Sequence, residues 1–240
     1  MKKSISIPVL LILFNRPEIS KQLINSLSKT QPNKVYVYFD GPRENQKMID
    51  SKNINEIKKF VENIDWKCDI QIKENTINYG SHIAPKKAID WLFENETVGI
   101  ILEDDCIPNY SFFQYCSVLL DRYSQDNRVF MISGDNGGPI INQDLFNKNS
   151  YLFTKVPLTW GWATWKNRWE KFDADLNLWN QPFRKTRKLL GEYSLFESYL
   201  IYKMLNRVSF RDEKNWDYML YSTMIKNKYL SIIPRLNLIK

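Results

Sequence analysis

Three consecutive acids, Glu103, Asp104 and Asp105, directly follow an apolar segment, residues 98–102, that has the pattern of a buried strand. Carboxylates packed together at the end of a strand repel one another, and their pKa values rise unless a cation compensates. A divalent ion held by one or two of these carboxylates and by substrate phosphates would meet that need and stabilise a diphosphate leaving group. An acidic turn neutralised by lysines or helix N-termini is the structural alternative, and the triplet alone favours it.

The elements that must position this triplet alternate between strand and helix patterns. Strand-like apolar segments cover residues 5–14, 35–39, 69–72, 98–102 and 129–133. Helical periodicity begins at Pro17 and recurs over residues 49–61, 84–94 and 112–123. This order predicts an α/β fold with a doubly wound, mostly parallel sheet flanked by helices.

Polar residues follow three of the predicted strands. Asn15 and Arg16 come after the first strand, Asp40 ends the second, and the acidic triplet follows residues 98–102. Because ligands of doubly wound sheets bind beyond the carboxyl ends of the strands, we expect these residues to share one ligand site.

The second half of the chain is richer in aromatic residues. Its patterns predict a strand near residues 151–155, helices over 193–205 and 216–226, and a last strand near 230–233. Between them lies the segment 158–165, which contains Trp160, Gly161 and Trp162. Tryptophan rings serve as platforms for sugars but pack equally well in cores, and both interpretations stay open for Trp162. We expect one domain over residues 1–240, with a donor half (1–135) and an acceptor half (136–240).

Composition narrows the classes of partner. The formal net charge is +7, but the basic residues are scattered, and the densest stretch, residues 184–188, has the pattern of a solvated helix face. No nucleic-acid partner is therefore expected. The three cysteines, at 68, 106 and 116, are interpreted as reduced thiols. Pro8 interrupts the apolar N-terminus, which favours a strand over a signal peptide. We expect a cytoplasmic protein whose membrane contact, if any, is peripheral and at the inner face.

The segment 100–113, which carries the acidic triplet, resembles the N-acetylglucosaminyltransferase I family, whose members are inverting glycosyltransferases of the GT-A fold. The resemblance continues, in the same order, through residues 129–137, through 158–162, and through Trp216 and Asp217. It covers most of the chain, and four motifs in register make it fairly specific. It implies a metal-dependent transfer of a sugar from a nucleotide-diphosphate donor, with roles in polysaccharide biosynthesis.

The resemblance also implies a division of labour around the donor. Asp105 would bind the metal, usually manganese with magnesium as the alternative, Asp104 would hold the ribose, and Glu103 would lie close to the donor sugar. Arg16 would contact the nucleotide, and Asp40 would read the edge of a uracil.

Other implied roles fall outside this cluster. The family has a histidine near the uracil where this chain has Lys86, so the identity of the base stays open although a UDP-sugar is expected. Asp217, after Trp216, would be the catalytic base; its alternative is an acid favoured by a helix N-terminus. Trp160, Gly161, Trp162 and Trp216 would shape the pocket for the sugar or the acceptor. The family's closing loop beyond the last strand has no counterpart here, and we expect it to be missing or replaced.

Three other functional classes compete with this interpretation. A nucleotidyltransferase would need a glycine-rich phosphate loop after the first strand, where this chain has Asn15, Arg16 and Pro17. A dinucleotide-binding oxidoreductase is disfavoured for the same reason. A non-catalytic glycan- or nucleotide-binding domain would show no dependence on a divalent metal. The expected partners are a nucleotide-sugar donor and a glycan or lipid-linked acceptor.

Overall fold

The computed structural model of the chain describes residues 5–138, 146, 148–211 and 215–240. Within these residues the strands are β1 Val9–Leu13, β2 Lys34–Phe39, β3 Asp69–Glu74, β4 Val98–Glu103, β5 Val129–Ser133, β6 Tyr151–Thr154, β7 Trp162–Trp165 and β8 Leu230–Pro234. The helices are α1 Pro17–Leu27, α2 Lys47–Glu62, α3 Gly80–Asn95, α4 Tyr110–Arg122, α5 Lys166–Trp169, α6 Phe183–Thr186, α7 Leu195–Ser209 and α8 Trp216–Asn227.

The strands form a single mixed sheet in the order β3-β2-β1-β4-β7-β5-β8-β6. β1 pairs in parallel with β2 on one side and with β4 on the other. The chain therefore winds outward from β1 through β2 to β3 and then crosses back to β4. That reversal creates a crevice between the carboxyl ends of β1 and β4, which is where ligands of such sheets bind.

Alternating side chains of the strands build two core layers. Val9, Leu11 and Leu13 of β1 face a layer that also holds buried residues of α1, α2 and α4. Leu10 and Ile12 face the opposite layer, with buried residues of α3, α5 and α8. Successive side chains of a strand point to opposite faces, so a strand buried on both sides is apolar throughout. The predicted α/β fold with helices on both faces of a mostly parallel sheet is confirmed.

β7 is a strand that the sequence patterns did not predict. It runs antiparallel to both β4 and β5 and fills the gap between them. The segment is only four residues long and begins directly after Gly161, which has a φ of +63°. A short, tryptophan-rich stretch has no distinctive strand periodicity, and its aromatic residues suggested a binding surface instead.

A loop residue decides where α3 begins. Helical periodicity predicted a start at residue 84, but the helix starts at Gly80. The Asp40 carboxylate accepts hydrogen bonds from the backbone N–H groups of Tyr79 and Gly80, which are donors that the helix itself leaves unsatisfied. A cap that comes from 40 residues away is invisible in the local sequence.

A third apolar cluster lies beyond the sheet, between α7, α8 and the segment that leads into α6. Trp179 is fully buried there and donates its indole N–H to the Ser222 hydroxyl at 2.7 Å. Leu205 of α7 and Tyr221 of α8 pack in the same cluster. Within the described part of the chain, no helix is long and apolar enough to cross a bilayer.

Candidate active site

The acidic triplet lies at the crevice between β1 and β4. A cavity of about 500 Å³ opens there, a size that suits a small-molecule ligand. Its charged lining residues are Arg16, Asp40, Arg43, Glu103, Asp104 and Asp105. The structure therefore brings together the polar residues that follow β1, β2 and β4.

Arg16 holds the two aspartates of the triplet together. Its Nη1 donates to Oδ1 of Asp104 at 3.1 Å and to Oδ2 of Asp105 at 3.0 Å. The Asp104 side chain is mostly buried, whereas the side chains of Arg16 and Asp105 are about half exposed (53% and 47%). A single positively charged nitrogen thus lies between two carboxylates at the mouth of the cavity.

Burial and mutual repulsion raise the pKa values of the triplet. Burial, followed by the charges of Asp105, Asp104 and Asp217, raises the pKa of Glu103 to about 7. Burial also raises the pKa of Asp104 to about 6, against the opposing effect of Arg16. Arg16 alone therefore leaves this cluster short of positive charge.

This cluster offers a divalent cation two carboxylates but not a complete set of protein ligands. The place between Asp104 and Asp105 already accepts a cationic nitrogen, and both side chains offer the oxygen ligands that Mg²⁺ and Mn²⁺ prefer. Among the described residues, however, no three acidic, histidine or cysteine side chains converge on one point as a metal site. The protein would supply one or two carboxylates, and phosphates and water would supply the remaining ligands, as is usual for Mg²⁺.

The Asp40 carboxylate is occupied by the protein itself. Its oxygens accept hydrogen bonds from the backbone of Gly41, Tyr79 and Gly80 and from the Asn78 amide. Burial raises the pKa of Asp40, and the backbone donors lower it. Asp40 lines the cavity, but its hydrogen bonds hold the loop before α3. Its oxygens therefore have little hydrogen-bonding capacity left for a nucleobase.

Arg43 and Asp50, which the sequence patterns did not single out, organise the cavity wall. The Asp50 carboxylate, wholly buried on α2, accepts hydrogen bonds from the Arg43 guanidinium and backbone and from the Asn15 amide. Asp50 thus ties the loop after β1 to the loop after β2. A signal was present: Asp50 shares the buried face of α2 with Ile54 and Ile57, where a charged residue needs a partner.

Trp160 and Gly161 lie beside the acidic triplet. The Trp160 indole N–H donates to the backbone carbonyl of Asp105 at 3.2 Å, and the side chain is 48% exposed. A Cβ atom on Gly161 would lie 2.5 Å from Cδ1 of Ile239. Trp160 therefore has an aromatic surface free to meet a ligand, whereas Gly161 permits close packing and the left-handed backbone.

The other two tryptophans of the predicted pocket are buried. Trp162 has no exposed surface, and Trp216 has 5%. Their rings stack at a centroid distance of 5.9 Å in the core layer that holds α3 and α8. The structure favours core packing, the second interpretation considered for Trp162, and neither ring is free to meet a sugar here.

Lys86 does not line the cavity. It forms an ion pair with Asp90 one turn further along α3, at 2.6 Å. Asp90 also accepts the indole N–H of Trp169. The neighbouring Ala84 and Pro85 do reach the cavity wall. The family resemblance implied a place near the nucleotide base for Lys86, but the side chain lines a different hollow, together with Glu94 and Phe172.

Asp217 occupies the first turn of α8, where one of its oxygens accepts the backbone N–H of Tyr218 at 2.9 Å. Burial raises its pKa, and the backbone donors lower it. Its negative charge contributes to the raised pKa of Glu103. Asp217 is therefore near enough to the triplet to interact with it electrostatically, although it is not among the residues that line the cavity.

The C-terminal residues pair with the loop that follows the triplet. The backbone N–H of Ile107 donates to the carbonyl of Lys240, and the N–H of Lys240 donates back to Ile107. The N–H of Asn109 donates to the carbonyl of Leu238 at 2.9 Å. Residues 238–240 thus brace the loop after the acidic triplet from one side.

The three cysteines are free thiols, and two of them, Cys106 and Cys116, are buried. His82 lies in the first turn of α3, close to the positive-φ residue Gly80. Neither observation adds a nucleophile or a histidine ligand to the cavity.

No model of a known protein family matches the chain, and no curated protein matches its sequence. Solved structures with a partly similar fold include a mannosyltransferase from Pyrobaculum calidifontis, in complex with GDP-Man and Mn²⁺, with 12% identity and a TM-score of 0.46. That match covers 68% of this chain and 45% of the other, so this chain spans under half of that enzyme's length.

Two further structures align over more of their length. Mouse xyloside xylosyltransferase 1 has 10% identity and a TM-score of 0.43, over 94% of this chain and 84% of the other. A UDP-glucose pyrophosphorylase complexed with UDP-glucose has 7% identity and a TM-score of 0.44, over 98% and 92%. At such identities the likeness is one of fold alone, and the function has to be argued from the residues of the cavity.

Proposed function

We propose that the chain is a metal-dependent inverting glycosyltransferase of the GT-A type. It would transfer a sugar from a nucleotide-diphosphate donor, a UDP-sugar, to a hydroxyl of a glycan or lipid-linked acceptor. The observation that carries this proposal is the placement of Arg16 between Asp104 and Asp105, beside a cavity at the crevice between β1 and β4. A cation between carboxylates at this position is suited to a diphosphate.

The donor would bind in this cavity. Asp105, the more exposed of the two aspartates, would hold the divalent ion together with the phosphates of the donor. When bound, the ion would supply Lewis-acid stabilisation to the departing diphosphate. Asp104 would face the ribose, and Glu103 the donor sugar. Arg16 would exchange its carboxylate partners for the phosphates, which a planar guanidinium binds well.

Asp217 would act as the base on the acceptor. The acceptor oxygen forms a bond to the anomeric carbon, the bond from that carbon to the diphosphate breaks on the opposite face, and the hydroxyl proton passes to the Asp217 carboxylate. The raised pKa of Asp217, which burial causes, suits it to this proton transfer. No covalent intermediate is required.

The remaining predicted residues take smaller parts in the proposal. Residues 1–135 would form the donor half and residues 136–240 the acceptor half. Trp160 would offer its exposed face to the sugar or the acceptor. Asp40 would act by shaping the loop before α3. Lys86, Trp162 and Trp216 are left out of the ligand contacts because their side chains are paired or buried.

Isothermal titration of the protein with UDP, with and without Mn²⁺, tests the proposal. We expect UDP to bind measurably only with the metal, and Asp105→Ala to abolish that dependence. UDP affinity that is the same with and without Mn²⁺ would favour a non-catalytic nucleotide-binding domain. A screen of nucleotide sugars would then identify the donor, and synthesis of a nucleotide sugar from a nucleoside triphosphate would instead indicate a nucleotidyltransferase.

A further inference from the structure

The solvent-facing side of α7 carries large apolar side chains that nothing in the described chain covers. Phe196 is 71% exposed, Leu195 67% and Leu200 50%, and Phe210, directly after the helix, is 70% exposed. The opposite side of the helix is a normal core face, on which Leu205 and Val208 are buried. Single exposed apolar residues are common, but a contiguous group usually marks an interaction site.

These residues share one face with two basic side chains. At about 100° per residue, Leu195, Phe196, Tyr199, Leu200, Lys203, Arg207 and Phe210 fall within an arc of about 140°. We call these seven residues the α7 face. It contains no acidic residue, because Glu197 lies outside the arc. The Lys203 ammonium lies 5.5 Å from the centroid of the Tyr199 ring.

The neighbouring α6 extends the positive charge of this surface. Phe183 of α6 packs edge-on against Tyr199 at a centroid distance of 5.6 Å, so the two helices are in contact. Arg184, Lys185 and Lys188, in and just after α6, are all exposed. Among the described residues, two nearby acids are engaged elsewhere: Glu192 pairs with Lys155 and Lys228, and Glu197 forms the capping box with Ser194.

We propose that the α7 face is a docking site for an anionic phospholipid membrane. Phe196, Leu195, Leu200 and Phe210 would enter the boundary between headgroups and acyl chains. Lys203, Arg207 and the exposed basic side chains in and just after α6 would contact the negatively charged headgroups. A helix with an apolar face bordered by lysine and arginine binds flat on a membrane in this way, and each basic residue near the surface strengthens the attraction.

The arrangement of charge favours a membrane over a second copy of the chain. In a symmetric dimer through this face, Lys203 and Arg207 of one copy would approach the same residues of the other, because each copy presents the same patch. Repulsion between like charges opposes such an interface. Anionic headgroups, in contrast, would neutralise Lys203 and Arg207 while the acyl region accepts the apolar side chains.

The α7 face also stands in a useful relation to the candidate active site. α7 packs against α8 through the cluster that contains Leu205 and Tyr221, and α8 begins with Trp216 and Asp217. A membrane that touches α7 would thus lie on the side of the molecule that holds α8 and the proposed base Asp217. Membrane docking goes beyond the proposed transfer reaction and does not require that reaction to be correct.

Co-sedimentation with lipid vesicles tests the docking proposal without any assay of activity. The 240-residue chain is mixed with vesicles of phosphatidylcholine and phosphatidylserine, and with vesicles of phosphatidylcholine alone. We expect binding to the anionic vesicles that weakens with added salt. Phe196→Ser with Leu200→Ser should reduce the partition at least about tenfold. Lys203→Gln with Arg207→Gln should reduce it about fivefold for each removed charge.

A matched control is available on α2, where Met48 and Ile49 are also exposed (85% and 58%) but lie on another helix. Met48→Ser with Ile49→Ser should leave vesicle binding unchanged, and all three double variants should keep the parent's melting temperature because the side chains are exposed. The proposal is overturned if the parent does not bind anionic vesicles at low salt. It is equally overturned if the α7 variants bind as well as the control, or if gel filtration shows a dimer that Phe196→Ser disperses.

Discussion

Nη1 of Arg16 lies 3.0 Å from Oδ2 of Asp105, and the same nitrogen also reaches Asp104. The guanidinium therefore already binds the Asp105 carboxylate, which is the proposed ligand of the divalent ion. A bound metal ion would compete with Arg16 for these oxygens, and a diphosphate would relieve the competition because it can bind both cations. This relationship predicts that the metal binds weakly to the protein without nucleotide.

Replacement of Arg16 tests this competition. We expect Arg16→Ala to raise the affinity of the nucleotide-free protein for Mn²⁺ by up to about fivefold, the scale of an exposed ion pair. The same change should weaken metal-dependent UDP binding, because a phosphate partner is lost. Titration calorimetry with Mn²⁺ alone and with UDP measures both effects. Arg128→Ala, which removes another exposed arginine paired with an aspartate, Asp126, is the control. Unchanged Mn²⁺ affinity in Arg16→Ala would show that the guanidinium does not compete.

Asp217→Asn separates binding from turnover. The amide keeps the size of the side chain but cannot take a proton, so we expect the rate of sugar transfer to fall by about 10²–10⁴-fold. UDP affinity in the presence of Mn²⁺ should stay within about twofold, because Asp217 is not among the residues assigned to the metal or nucleotide. Initial rates with the donor found by screening give the first value and calorimetry the second. Turnover like that of the parent would show that another residue is the base. Asp121→Asn, which changes an exposed acid of α4, is the control and should leave turnover unchanged.

The strand and helix patterns carried most of the fold, for a physical reason. β1, β4 and β5 are buried on both faces, so their sequences are continuously apolar and stand out. α1 and α2 keep a regular stripe of apolar residues towards the sheet. β7 was missed because it is short, antiparallel and inserted between β4 and β5, which both come well before it in the sequence.

The candidate site was only partly predictable from the sequence. Arg16 and the acidic triplet could be found because they directly follow apolar strands whose carboxyl ends meet. Asp50 and Arg43 were missed because their role depends on contacts between two loops. Lys86 follows Pro85, which lines the cavity, but its own side chain pairs with Asp90 and does not enter the cavity. Sequence position fixes the neighbourhood of a residue, and packing fixes what its side chain meets.

Gly161 and Gly138 form a matched pair for the packing beside Trp160. Both have positive φ, +63° and +56°. An added Cβ at Gly161 meets Ile239, whereas one at Gly138 meets no atom of the described residues within 4 Å. We expect Gly138→Ala to lower the free energy of unfolding by about 1–2 kcal/mol, the cost of the left-handed backbone. Gly161→Ala should cost about 1–3 kcal/mol more, because the methyl group overpacks Ile239. Urea denaturation measures both. Equal losses would show that the C-terminal segment adjusts freely.

Asp50→Asn tests the link between the two loops at the cavity. Hydrogen bonds from Arg43 lower the pKa of Asp50 to about 2, below its ordinary value of 3.8. A carboxyl with a depressed folded-state pKa contributes stability that is fully present above about pH 4 and is lost as the pH falls towards 2. We expect Asp50→Asn to lower the free energy of unfolding at pH 7 by about 1–3 kcal/mol, because the partly buried donors of Arg43 and Asn15 lose their charged acceptor. The variant's stability should also depend less on pH between about 4 and 2.

The control for Asp50 is Asp126, whose pKa is likewise lowered to about 2, by Arg128, in a pair at the surface away from the cavity. Asp126→Asn should flatten the same part of the pH profile but leave Mn²⁺-dependent UDP affinity unchanged. Asp50→Asn should flatten the profile and also weaken Mn²⁺-dependent UDP binding, because the loops that present Arg16 and Arg43 lose their common anchor. Denaturant titrations across the pH range and calorimetry at pH 7 separate the two effects. If Asp50→Asn unfolds more easily yet binds UDP as the parent does, Asp50 stabilises the fold without positioning the cavity wall.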